Sequence, residues 1–497
     1  MERRVRVRVV PVVLLVALVA TSCGSTGPVV SVRSASAIPI EPTDSTDATP
    51  DITTPAEDGS VDGVGDELFP SLWNPGIDVV DYAVRLRYDP QLDAIDGSVS
   101  ITIAATEQRD SFTLDAVGLD IGAVAVDGVD AEFAPEDVEL RITPDQPLTP
   151  GRRLVVDIAY SGTPDAGSSS VLPSGWFHTD GGSYVLNEPD GARTWLPSND
   201  HPSDKASWTF EITVPTGMAA VANGALQATT PGPDGDTWTW RQDDLMPTYL
   251  VQLLTGDYQI IETTGPNGLP IVSAILRRNV VGAQAYIDAI PEQIDFFDDV
   301  FGPYPLDRYG IAVTDSFAGL AMETMGRSMF SNQDLDGTVG FLSELLLSHE
   351  LVHQWFGDAV TPARWQDIWL NESFATYGQW LWFDHTGRAT LADQASIALA
   401  GRRGAGAATG RPGADDLFGY NSYDGGAVVL QALRDTIGDD AFFTVLQRWV
   451  AENNGTSRTT EDFIALAEDV SDTDLTSFFD TWLFAAEVPT AYPSSAI

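Results

Sequence analysis

The sequence predicts a multidomain β plus α/β fold, in which an N-terminal antiparallel β domain is followed by a mainly helical domain. Three observations predict it. At 497 residues the chain is too long for one small core. From Phe69 to about Ile261, short runs of alternating or β-branched residues are broken by Gly, Pro and Asp, the signature of many short strands. Beyond Ile261 the hydrophobic period lengthens to that of helices and stays so to the C-terminus.

The elements follow in order. Arg3, Arg4, Arg6 and Arg8 precede the apolar run Val9 to Ala20, and small residues lead to Cys23. That is a secretory signal over 1–23, its apolar stretch too short for a comfortable membrane span. Its ending, Ala20-Thr21-Ser22-Cys23, resembles a bacterial lipoprotein signal, in which Cys23 is lipidated and tethers the protein outside the cytoplasmic membrane. An ordinary cleaved signal is the alternative. Residues 24–68 are rich in Ser, Thr, Pro, Asp and Gly and read as a disordered spacer spanning about 40 Å. The β domain, 69–261, carries runs such as Tyr82 to Leu86, Val99 to Ile103, Leu154 to Ile158 and Trp208 to Val214. Within 262–497, Ile271 to Leu276 and Tyr309 to Thr314 are further strands before the helices begin. Near the end, Thr460 is placed to cap a helix carrying Phe463, Ile464, Leu466 and Ala467.

Composition excludes some functions. The chain holds 72 acids against 26 bases, a formal net charge of -46, so phosphate backbones are repelled and nucleic-acid binding is disfavoured. The acids are spread rather than blocked, as in a solvated acidic coat. Lys205 is the single lysine, and Cys23, the single cysteine, excludes any intrachain disulfide.

Of five histidines, at positions 178, 201, 349, 353 and 385, two stand four apart in His349-Glu350-Leu351-Val352-His353. On a helix these share a face and can turn both imidazoles toward one ion. Glu350 lies about 100° further round, badly placed as a ligand but able to reach a water on that ion. Glu372, with eighteen residues between it and His353, supplies a third ligand from a second apolar helix. Two His and one carboxylate with an open position is the donor set of a catalytic zinc, one Zn2+ per chain, with Glu350 as the base. These four residues equally serve a zinc endopeptidase, and a non-catalytic binding module could retain them for stability. An epoxide-opening site would need a lipid-sized pocket that nothing in the sequence indicates.

His349 to Asp358, followed by Leu370-Asn371-Glu372-Ser373-Phe374-Ala375, resembles the zinc signature of the M1 family of aminopeptidases. Further segments agree: Arg193 to Pro197, on through Asp200-His201-Pro202 to Lys205-Ala206, and Tyr249 to Tyr258. Ala321-Met322-Glu323 is similar to the family's Gly-Ala-Met-Glu-Asn motif. The resemblance implies that Ala321 and Met322 bind substrate, that the positions held here by Leu320 and Thr324 line the peptide-binding edge, and that Glu323 binds the free α-amino group, with Glu188 as a second anchor. Tyr423-Asp424-Gly425-Gly426-Ala427 is similar to Tyr-Glu-Lys-Gly-Ala, whose tyrosine donates to the oxyanion; Tyr420 is a nearby rival. Leu320, Thr324 and Gly425 depart from these motifs. The resemblance implies a thermolysin-like catalytic domain in a short form without a long C-terminal helical domain. It further implies an aminopeptidase acting on peptides with a free N-terminus, outside the cytoplasm, anchored to the bacterial cell membrane or secreted.

Overall fold

The computed structural model describes residues 66–168, 172–334, 340–402 and 406–493. The signal, Cys23 and residues 24–65 of the expected spacer lie outside them. All that follows concerns one compact unit, Asp62–Ile497.

The first domain is built on an eight-stranded sheet. Its order is Ala225–Gly232, Gly235–Met246, Ala206–Val214, Ile77–Asp89, Ala94–Ala105, Arg153–Gly162, Asp120–Val126 and Val129–Asp130. Ala206–Val214 shows why these residues form strands. Trp208, Phe210, Ile212 and Val214 are buried while Ser207, Thr209, Glu211 and Thr213 are only half so, the period of two that sets one face on a core. The sheet is not purely antiparallel as expected: Ile77–Asp89 runs parallel to Ala206–Val214, with Tyr82 opposite Trp208. Their rings stack at 4.0 Å. Over a hundred residues of chain separate the two strands, ample for the crossover a parallel pair requires.

The second domain opens with a five-stranded sheet ordered Tyr258–Thr264, Pro270–Leu276, Ile311–Thr314, Ser328–Ser331, Ala321–Met322. Its first strand starts at Tyr258, ahead of the boundary expected at 261, because strand periodicity does not reveal to which sheet a strand belongs. Among the described residues, eight α-helices follow or flank it: α1 Val280–Phe301, α2 Gly340–Val352, α3 Trp369–His385, α4 Leu391–Arg402, α5 Asp424–Ile437, α6 Asp439–Asn453, α7 Thr460–Ser471 and α8 Thr476–Trp482. Among the described residues, no helix is long and apolar enough to cross a membrane. The cap of α7 is Thr459, not Thr460: its side chain accepts from Asp462 N and the Asp462 carboxylate accepts from Thr459 N, a reciprocal box. Thr460 instead donates its hydroxyl to Asp367 Oδ1 at 2.7 Å and accepts from Trp369 Nε1 at 2.8 Å.

Hydrogen bonds from buried groups join the two domains. Asp66, expected in the spacer, is buried; it accepts from Trp365 N at 2.6 Å and its Oδ2 lies 3.4 Å from His201 Nε2. Lys205 donates to Asp358 O at 2.8 Å and Ala359 O at 3.1 Å. Arg327, fully buried, donates to Val272 O, Ala222 O and Gln252 Oε1 at 2.9, 2.8 and 3.1 Å, and sits 5.1 Å from the Trp240 ring centre. Burial pushes its guanidinium down to about 9. Trp365 packs its ring against Phe69 and Tyr249 of the first domain.

Candidate metal centre

Helix α2 carries the two histidines at its C-terminal end. The helix proper closes at Val352, yet His353 N still donates to His349 O at 3.3 Å, so the four-residue spacing keeps both rings on one face. Their ring centres are 4.8 Å apart. Helix α3 brings Glu372 to them from its first turn: Oε2 lies 3.3 Å from His349 Nε2 and 3.4 Å from His353 Nε2. Such separations suit zinc, because two donors about 2.0–2.1 Å from a tetrahedral ion stand about 3.3–3.4 Å apart. All three residues are buried, and donor atoms of all three lie within 4.8 Å of one another. The donor set therefore fits a zinc ion.

The second coordination layer is also built. His353 Nδ1 lies 2.6 Å from Asn371 Oδ1 and 3.2 Å from Phe356 O, and Asn371 Nδ2 donates to Glu323 Oε1 at 3.1 Å. Gln354 ties the edge strand to α2: its Nε2 donates to Glu323 O at 3.0 Å and its Oε1 accepts from Gly326 N at 2.8 Å. A second donor group, Glu323, Glu350 and His353, is equally close-knit, within 4.8 Å. The structure thus brings the expected base and the expected amino anchor to the metal ligands.

The charges are strongly interdependent. Burial, then the charges of Glu323 and Glu372, hold the Glu350 carboxyl well above the ordinary range, with His353 opposing. Burial also opposes charge on His353, but Glu323 and Glu372 outweigh it and raise its pKa. His349 is lowered, chiefly by burial. Burial would raise Glu372, yet the adjoining histidines prevail and lower it. Glu188 sits just past the strand Gly182–Leu186. Burial and the charges of Glu323 and Glu372 push its carboxyl up, and its buried Oε1 makes no hydrogen bond.

Tyr423 stands at the N-terminus of α5, its ring 6.0 Å from that of His349 and nearly parallel. Burial and then Glu372 push its hydroxyl up, so it is a donor at any ordinary pH. Tyr420 is turned away, donating to Ala398 O at 2.9 Å. Ala321–Met322 pairs on one side with Ser328–Ser331 and forms the sheet edge on the other.

Local packing accounts for two of the motif departures. Thr324 uses its hydroxyl internally, donating to Arg327 O at 2.6 Å and accepting from Gln252 Nε2 at 2.8 Å. A Cβ at Gly425 would come 2.8 Å from Asn421 Oδ1 and 2.9 Å from Arg402 Cδ, so a lysine there requires both side chains to shift. Leu320 is partly buried against a core cluster that both domains contribute to, and nothing in the structure explains its replacing a glycine. Gln354, Asn371 and Lys205 were given no role by sequence reasoning, although each lies within a motif that signalled the site.

Residues 79–250 match the Peptidase M1 N-terminal domain and residues 286–482 the Peptidase family M1 domain. Aminopeptidase M1-C of Oryza sativa subsp. japonica is 26% identical over 436 residues, covering 81% of this chain and 49% of its own. Aminopeptidase N of Streptomyces lividans is 28% identical over 382 residues, 70% of this chain and 43% of its own. The chain thus spans about half the length of the curated relatives it matches. The M1 zinc metallopeptidase of Deinococcus radiodurans superposes with a TM-score of 0.80 at 30% identity, covering 88% of this chain and 99% of that one. A mutant of it bound to a Tyr-Ser-Ala substrate gives 0.81 at 29%, covering 87% and 100%. With both domains matched and the zinc donors assembled, the chain belongs to the M1 family of zinc metallopeptidases.

Proposed function

We propose that the chain is a zinc-dependent aminopeptidase that removes N-terminal residues from peptides. One observation carries the reading: the Glu323 carboxylate stands within 4.8 Å of Glu350 and His353 donors. An α-ammonium held there sets the first peptide bond, not an internal one, beside the metal centre. Glu188, buried with an unpartnered oxygen, is the second acceptor for that ammonium. The edge strand Ala321–Met322 offers free backbone groups along which an extended peptide can pair.

Zinc held by His349, His353 and Glu372 would supply Lewis acidity and a more acidic water. Glu350, beside the His353 and Glu323 donors, takes the proton of the attacking water and passes it to the leaving amine. The Tyr423 hydroxyl donates to the oxyanion and needs no charge to do so. Matched free and N-acetylated peptides test the reading, with a chelator and then zinc restoration as control. The free peptide should be cleaved and the blocked one spared; equal cleavage would make the protein an endopeptidase. No turnover of either peptide would leave a binding module.

The signal at 1–23, outside the described residues, supports placing this activity outside the cytoplasm, with Cys23 as a lipid anchor. Membrane recovery that survives Cys23→Ala would sink the anchor.

A further inference from the structure

Asn371 has no task in the reaction just described, yet it joins the metal centre to the amino anchor. It precedes Glu372 on α3 and is fully buried. Successive helix residues point about 100° apart, so Glu372 meets the histidine donors while Asn371 meets the groups beside them. Its Oδ1 lies 2.6 Å from His353 Nδ1, and its Nδ2 donates to Glu323 Oε1 at 3.1 Å.

The two ends of a carboxamide are not interchangeable, since the oxygen only accepts and the nitrogen only donates. A flipped amide would set its oxygen against the Glu323 carboxylate, two acceptors face to face, so the network admits one orientation. In that orientation His353 Nδ1 must carry the proton. Nε2 is then left with its lone pair, 3.4 Å from Glu372 Oε2, the tautomer a metal requires. The amide is also boxed in: a Cβ on Gly357, where φ is +123°, would lie 2.0 Å from Asn371 Oδ1. Glycine at that position is what lets the amide stand where it does.

We propose that Asn371 is a positioning residue that seats the metal ligand His353 and the amino anchor Glu323 on one carboxamide. Metal retention and recognition of a free α-amino group are thereby coupled through a single side chain, with Phe356 O, 3.2 Å from the same Nδ1, as the ring's second acceptor. The anchor half rests on the aminopeptidase reading; the metal half does not.

Two substitutions in the full chain separate the halves. Asn371→Asp keeps an acceptor for His353 but sets a second carboxylate against Glu323. Asn371→Leu keeps the volume and removes both bonds. Zinc affinity is measured by chelator competition without substrate, and selectivity as the ratio of kcat/KM for free over N-acetylated peptide. Asn371→Leu should weaken zinc about 10–100-fold, whereas Asn371→Asp should hold it within about threefold. Both should lower the selectivity ratio about tenfold or more, through KM for the free peptide rather than kcat. Unchanged zinc affinity in Asn371→Leu, or equal loss of zinc in both variants with selectivity intact, would overturn the proposal.

A readout on the wild type covers a variant that does not fold. In the zinc-loaded protein, 15N-edited spectra should show His353 protonated at Nδ1, and a proton on Nε2 overturns the assignment. If the wild type cleaves free and blocked peptides alike, the aminopeptidase reading fails and takes the anchor half with it. The zinc-affinity and tautomer measurements still decide the metal half.

Discussion

Lys205 gives the sharpest stability test. Its ammonium is buried with two backbone carbonyls as partners, and burial, opposed by Asp358 and Asp244, brings its pKa from 10.5 down to about 7. The unfolded chain keeps the proton up to the ordinary lysine range, while the folded chain releases it near neutrality. Between those limits the unfolded state binds more protons, so unfolding free energy rises with pH by about 1.4 kcal/mol per unit. It is lost again as pH falls through the folded value. Lys205→Met keeps a similar unbranched stem with nothing to titrate. Groups remote from Lys205 titrate alike in both proteins, so wild-type stability minus variant stability should rise by about 2.5 kcal/mol from pH 7.5 to 9.5. Guanidinium unfolding followed by tryptophan fluorescence at the two pH values measures it. Parallel pH dependences would refute a lysine held near neutrality, and a fall in that signed difference would reverse the argument.

Other outcomes follow from the site. Glu350→Gln should abolish peptide turnover while zinc, measured by metal analysis, stays at one per chain, because Glu350 is no part of the His349–His353–Glu372 donor group. Tyr423→Phe should lower kcat about 100-fold or more with little change in KM, the loss typical of one oxyanion donor; a change confined to KM would reassign the tyrosine to binding. A Cβ at Gly426 would fall 1.6 Å from Ser373 Oγ, so Gly426→Ala should push α5 from α3 and cost about 1–3 kcal/mol. A melting temperature equal to that of wild type would show the helices free to part.

What the sequence made legible was what local spacing encodes. His349 and His353 fall on one helical face because the helix repeats near 3.6 residues, and the apolar run around Glu372 marks its helix in the same way. Strand alternation made the β domain legible for the same reason. The parallel pairing of Ile77–Asp89 with Ala206–Val214 was hidden, because no local period records which distant strand lies alongside. The same holds for the reach of Lys205 to Asp358 and Ala359, and for the amide of Asn371, whose partners His353 and Glu323 lie on other elements. Asp66 reads as spacer because its surroundings in sequence are polar, while its carboxylate accepts from Trp365 N and lies beside His201. Thr459 and Thr460 differ in their partners, Asp462 for one and Asp367 with Trp369 for the other, which adjacent threonines do not disclose.

The links between the domains bear on modularity. The boundary at Tyr258 looks like a seam along which evolution or an engineer could exchange one half for that of a relative. Yet the Arg327 guanidinium of the second half is satisfied by Ala222 O and Gln252 of the first, and the chain after the second histidine is held by the first half's one lysine. A chimera cut there inherits a buried cation whose acceptors come from another lineage. An exchange of halves therefore has to keep Lys205 and Arg327 within reach of the carbonyls and the Gln252 amide that satisfy them.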